Sequence, residues 1–133
     1  MFDWKKPTVE MLGRWQPWHD GHTELFKRAL QKTGQVCIMY RDVGGADAGV
    51  EGQSDNPFQF EEVKKNIIEG LKPHGYEEGR EYVVLKVPNI IDISYGRGVG
   101  YTFTEHDLGA EIHKISATNI RKEMRQKGEL EEK

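Results

Sequence analysis

The chain has 133 residues, with 19 Lys and Arg against 22 Asp and Glu, for a formal net charge of −3. At 36% hydrophobic residues and a mean hydropathy of −0.74 it is polar, yet a chain this long buries ~65–70% of the surface its unfolded form exposes. These figures predict one domain over residues 1–133 with a frayed tail at 129–133, leave no room for separate tRNA-binding modules, and supply no global basic field for nucleic acid.

No apolar run approaches the ~18 residues of a membrane span. The start Met-Phe-Asp-Trp-Lys-Lys carries no signal-peptide pattern. The single Cys37 cannot form an internal disulfide, and its apolar run Val36 to Tyr40 marks a buried, inert thiol. The expectation is a cytoplasmic protein that binds neither membrane nor nucleic acid.

In chain order, a first strand is predicted over Thr8 to Gly13, with Val9, Met11 and Leu12 apolar. The loop Arg14 to Gly21 leads to a helix over His22 to Thr33 with Leu25, Phe26, Ala29 and Leu30 on one stripe, stopped by Gly34. The run Val36 to Tyr40 reads as a strand covered on both faces. Residues Asp42 to Asp55 carry four glycines and little periodicity, a long loop of the kind that usually has a function. Asn56-Pro57-Phe58-Gln59 reads as a helix start, with Asn56 as N-cap, Pro57 at the first position and Gln59 reaching back. Phe60, Val63, Ile67 and Leu71 form its buried stripe, and Lys72 to Gly75 end it. A third strand is expected at Tyr82 to Val87, a weaker one at Tyr101 to His106, and a last helix from Ser116 to Gly128. The alternation predicts an α/β fold, a single Rossmann-like doubly wound domain with a mainly parallel sheet. Ligands in such sheets bind at the carboxyl ends of the strands, above helix N-termini.

Two groups of residues carry chemistry. The first is Gly13-Arg14-Trp15-Gln16-Pro17-Trp18-His19-Asp20-Gly21-His22. Gly21 lets the backbone approach a ligand, and imidazoles at a helix N-terminus can donate hydrogen bonds to phosphate oxygens. A bare H-x-G-H equally describes capping or surface histidines in a turn. A zinc site shared with His106 or His113 lacks the H-E-x-x-H spacing and any cysteine cluster. The second group is Ile115-Ser116-Ala117-Thr118-Asn119-Ile120-Arg121, where a helix start can hold an anion and Arg121 can fork onto phosphate oxygens. An ordinary N-cap with a solvated basic face fits this segment as well. The Gly96 to Gly100 loop reads either as a tight turn needing positive φ or as the place of an anion ligand, Arg97, and Trp15, Trp18, Tyr95 and Tyr101 could stack on a base or simply pack.

Together the two motifs resemble the nucleotidyltransferase superfamily that shares the HIGH motif, the cytidylyltransferase-like proteins, with patterns G-x-F-x-P-x-H-x-G-H and I-S-[ST]-[ST]-x-[IL]-R. Trp15 stands for the aromatic Phe and Ala117 for a hydroxyl residue. Arg14, Gln16 and Asn56-Pro57-Phe58 are similar to archaeal-type nicotinamide mononucleotide adenylyltransferases. The order of Arg14 to His22, Arg41-Asp42-Val43, Asn56-Pro57-Phe58, Tyr95 to Tyr101 and Ile115 to Arg121 looks closer still to nucleotidyltransferase-like domains found beside adenylylsulfate kinases.

The resemblance implies that an acceptor phosphate, or a similar oxyanion, attacks the α-phosphorus of a nucleoside triphosphate and releases pyrophosphate. His19, His22 and Arg121 would be the catalytic residues. Gly13, Arg14, Trp15, Gly21, Ser116 and Thr118 would bind nucleotide, and Arg14, Arg41, Arg97 and Tyr95 are acceptor-side candidates. Mg²⁺ would be held mainly by substrate phosphates, with no protein metal site. The G-R-W-Q-P and N-P-F features favour ATP. CTP is the alternative, although Glu111-Ile112-His113-Lys114 stands where compact cytidylyltransferases carry R-T-x-G. The nicotinamide branch has a mid-chain Trp, and this chain has none after Trp18. A non-catalytic nucleotide-binding module is the reading from another class, while the missing K-M-S-K-S loop excludes a class I aminoacyl-tRNA synthetase fragment. Recognition of the small phosphorylated acceptor falls to residues 42–55, to residues 88–113 or to a second subunit of a homodimer.

Overall fold

A computed structural model of the chain describes residues 1–42, 58–97 and 102–104. Five elements follow one another: β1 (Val9–Gly13), α1 (Asp20–Thr33), β2 (Val36–Arg41), α2 (Phe60–Leu71) and β3 (Tyr82–Val87). A single turn of 3₁₀ helix at Lys72–His74 closes α2, and Gly75 ends it at φ 85°, a left-handed position that suits glycine. The three strands form one parallel sheet in the order β1-β2-β3. Strand–helix–strand crossovers joining parallel strands are the Rossmann-like α/β arrangement that the sequence predicts.

Parallel pairing aligns one apolar face. Met11 lies opposite Ile38 and Ile38 opposite Val84, while Val36 lies opposite Tyr82. These side chains meet Phe26 and Ala29 of α1 and Val63, Ile67 and Leu71 of α2 in one buried cluster. Leu25, Leu30 and Phe60 pack against it while partly buried, so the stripes read from the sequence are the ones that face the core. Cys37 lies buried as a free thiol on the other face of β2, where burial and then Glu10 push its pKa up. Gln35, also buried, ties down the N-terminal segment by accepting from Asp3 N and donating to Asp3 O and Thr8 Oγ1.

Four expectations change. Helix α1 begins at Asp20, two residues before the expected His22, because His19 itself caps it. Helix α2 begins at Phe60 with Gln59 as an extended N-cap that makes no side-chain cap bond. Asn56 is therefore not its cap, nor Pro57 its first residue; both lie outside the described residues. The reason is long-range: Phe58 N donates to Gln16 Oε1 at 2.8 Å and Phe58 O accepts from Gln16 Nε2 at 2.9 Å. Those bonds hold the chain extended until Gln59. Of the weak strand at Tyr101 to His106, residues 102–104 are described and form no strand. Trp15 and Trp18, candidates for stacking on a base, are 6% and 7% exposed and belong to the core. The last helix from Ser116 and the frayed tail lie outside the described residues. No described helix is long and apolar enough to cross a membrane.

Candidate active site

The carboxyl end of β1 opens into a turn that the sequence packs unusually tightly. Trp15 sits at φ 51°, a left-handed conformation that is strained for a bulky residue. Two anchors hold it there. Its indole Nε1 donates to Met39 O of β2 at 3.0 Å, and its ring lies so close over Gly13 that a Cβ there would sit 2.8 Å from Trp15 Cζ2. Trp18 packs against Trp15 with ring centroids 5.1 Å apart, and its Nε1 donates to Thr23 Oγ1 at 2.9 Å. On the far side Trp18 meets α2, where a Cβ on Gly70 would come within 2.8 Å of Trp18 Cδ1.

On this aromatic floor sit the two histidines. His22 meets Trp15 edge-on at 4.8 Å and Trp18 at 5.4 Å. His19 stacks on His22 with centroids 3.7 Å apart and planes 20° from parallel. The pair forms a reciprocal cap: Gly21 N donates to His19 Nδ1 at 3.0 Å, and His19 N donates to His22 Nδ1 at 3.2 Å. Imidazole Nδ1 does here what an Asn or Asp side-chain oxygen does at other helix starts.

This cap fixes the chemistry. Each Nδ1 accepts a hydrogen bond, so in the neutral ring the proton sits on Nε2. Burial, and then its neighbour His19, lower the pKa of His22 to about 3. Burial also lowers that of His19, with Asp20 acting in the opposite direction. A helix N-terminus disfavours added positive charge as well. The result is a stacked pair of neutral Nε2–H donors at the start of a helix, beside N–H groups that the helix cannot itself satisfy. Such a pair can donate to an anionic oxygen without adding a cation.

The other candidates distribute around the same edge. Gly13, Trp15, Gly21, His19 and His22 come together in the turn, with Arg14 beside them in sequence. Gly13 pairs with Tyr40, so Arg41 ends the neighbouring strand one residue further on. Arg41 Nη1 reaches Ile90 O at 3.5 Å, and its buried Nε has no partner among the described residues. Tyr95 and Arg97 are exposed in the segment after β3. Among the described residues, no hydrogen bond or ring contact joins either to the imidazole pair. Ser116, Thr118, Arg121, His106 and His113 lie outside the described residues. No group of three or more His, Cys, Asp or Glu side chains able to hold a metal occurs among the described residues. Sequence pattern alone assigns Gln16 only its place in the G-R-W-Q-P resemblance and Thr23 no role; a polar Gln between Trp15 and Trp18 is the signal that marks the first as more than a motif position.

No protein-family model matches the chain. It is 30% identical over 80 residues to a nicotinamide-nucleotide adenylyltransferase of Methanococcus aeolicus. The match covers 60% of this chain and 41% of that protein, so the chain spans about two fifths of the length of the curated relative it matches. This partial likeness indicates a nucleotidyltransferase-like relationship.

Proposed function

We propose that the chain is a nucleotidyltransferase that moves a nucleoside monophosphoryl group, AMP in preference to CMP, from a nucleoside triphosphate to a small phosphorylated acceptor, releasing pyrophosphate. The observation that carries this reading is the reciprocally capped imidazole pair at the start of α1, whose Nδ1 atoms are both engaged and whose Nε2–H groups have no hydrogen-bond partner among the described residues. The name of the methanococcal relative supports adenylyl over cytidylyl transfer.

In-line displacement at phosphorus needs positioned reactants and stabilised charge rather than a protein nucleophile. His19 and His22 would donate through Nε2 to the triphosphate as negative charge shifts towards the leaving pyrophosphate. Gly21 lets the backbone approach the nucleotide closely, while Gly13 admits the ring of Trp15, which acts beneath the imidazoles as their support. Ser116, Thr118 and Arg121 would hold the β- and γ-phosphates. The incompletely hydrogen-bonded guanidinium of Arg41 suits an acceptor anion, with Arg14, Tyr95 and Arg97 as further acceptor-side candidates. No described residue is assigned to Mg²⁺, which would arrive on the substrate phosphates and neutralise part of their charge when bound.

The test is a screen for pyrophosphate release from ATP and from CTP against phosphorylated metabolites. Release with ATP and one acceptor is expected. Nucleotide binding with no release against any acceptor contradicts the transfer reading and leaves a binding module. In an active preparation, Arg121→Ala should weaken triphosphate binding, and an unchanged affinity would remove that residue from the site.

A further inference from the structure

The described residues bury three polar side chains: Gln16, Thr23 and Gln35. Gln35 secures the N-terminal segment and Thr23 holds Trp18. Gln16, 2% exposed, spans a different gap. Its Oε1 accepts from Phe58 N at 2.8 Å, and its Nε2 donates to Phe58 O at 2.9 Å and to Arg14 O at 3.2 Å. One side-chain amide thus pairs with Phe58 in both directions, as a neighbouring strand would, across 42 positions of sequence. Tyr40 of β2 adds a hydroxyl contact to Phe58 O at 3.4 Å.

We infer that Gln16 is a positioning residue for the proposed transfer reaction. It fixes the histidine turn to the chain leading into α2, so that the imidazoles keep one position relative to Phe58. This inference rests on the nucleotidyltransferase reading, in which the imidazoles of the turn act on the triphosphate. Gln16 lies three residues before His19. The indole of Trp18 against Gly70 also joins the turn to α2. That apolar contact is non-directional, whereas two opposed hydrogen bonds set both register and orientation.

The triphosphate would be held by the start of α1, the imidazoles and Ser116, Thr118 and Arg121 together, so loss of the Gln16 amide should spare nucleotide binding and slow the step that needs both reactants aligned. Sub-ångström to ångström misplacement of reacting groups is costly in rate.

Gln16→Met keeps the length and bulk of the side chain and removes both hydrogen bonds to Phe58 together with the one to Arg14 O. At a temperature where wild type and variant are equally folded, kcat for pyrophosphate release should fall ~10-fold or more, with the Kd for Mg-ATP changing less than ~3-fold. In amide hydrogen exchange, Phe58 N–H and Gly21 N–H should both accelerate in the variant, because the turn and the lead-in to α2 loosen together. An unchanged kcat in the folded variant overturns the inference, as does faster exchange at Phe58 with none at Gly21. If wild type releases no pyrophosphate, the transfer reading fails, and the exchange pair still decides whether Gln16 couples the two segments. Should Gln16→Met not fold, Gln16→Asn, which retains the amide one methylene short, carries the same readouts with a smaller expected change.

Discussion

The turn from Arg14 to Thr23 and the segment from Pro88 to Arg97 both leave the carboxyl end of the parallel sheet, after β1 and β3, and are built in opposite ways. The turn buries Trp15, Gln16, Pro17, Trp18, Gly21 and Thr23, and its hydrogen bonds reach Met39 on β2 and Phe58 before α2. The later segment exposes Ile91, Ile93 and Tyr95. Its internal hydrogen bonds are local, Ile90 N to Pro88 O and Ser94 Oγ to Asp92, and Arg41 supplies a contact from β2. A preorganised set of donors is what stabilises developing charge without reorganising. An exposed, loosely tied segment suits recognition of a variable partner. On the proposed reading, rate resides in the turn and part of acceptor recognition in the later segment.

That division can be broken at either end. The largest effect is expected from His22→Ala, which removes one Nε2–H donor and should lower kcat ~100–1,000-fold with the fold intact by circular dichroism. Full activity would end the assignment. Next, Gly70→Ala puts a Cβ 2.8 Å from Trp18 Cδ1. Overpacking of this kind should cost ~1–3 kcal/mol in a urea titration and lower activity by shifting the floor beneath His22. An unperturbed variant would show that Trp18 can yield without moving the imidazole.

Titration probes the same turn. The folded pKa of His22 is about 3, below its ordinary 6.5, so between those values the unfolded chain binds more protons than the folded one. The stability linked to neutral His22 is therefore complete above pH ~6.5 and lost as pH falls towards ~3. In His22→Ala that part of the acid dependence should disappear, as followed by thermal melts across the window. In the later segment, Arg97→Ala should shift stability by no more than ~0.5 kcal/mol, confining any change to the KM of the acceptor. The smallest effect is expected at Tyr82, whose buried hydroxyl has no partner among the described residues. Tyr82→Phe should be neutral or stabilising by up to ~1 kcal/mol in the same titration.

The same contrast explains what could be read from the sequence. Strands β1, β2 and β3 were legible because apolar runs with flanking turn residues report local preference and burial together. The stripe of α2 was legible for the same reason. Its start was not: Asn56-Pro57-Phe58-Gln59 satisfies every local rule for a helix N-terminus, yet a partner 42 positions away holds Phe58 extended. Local pattern puts the start of α1 two residues late because histidine is not a customary cap, although its Nδ1 has the required acceptor. The imidazole pair itself could be picked out from H-x-G-H. Its tautomer, its stacking and the buried indoles beneath it depend on tertiary contacts that spacing does not encode.

The central claim is that both imidazoles are neutral Nε2–H donors held by their Nδ1 atoms. Nitrogen-15 spectra of the histidine rings test it directly, recorded from neutral pH down to pH ~4. Both rings should show the Nε2–H tautomer at neutral pH, with His22 still uncharged at pH ~5. An Nδ1–H tautomer at either ring, or a His22 that takes up its proton near pH ~6.5 as a free imidazole does, would contradict the account.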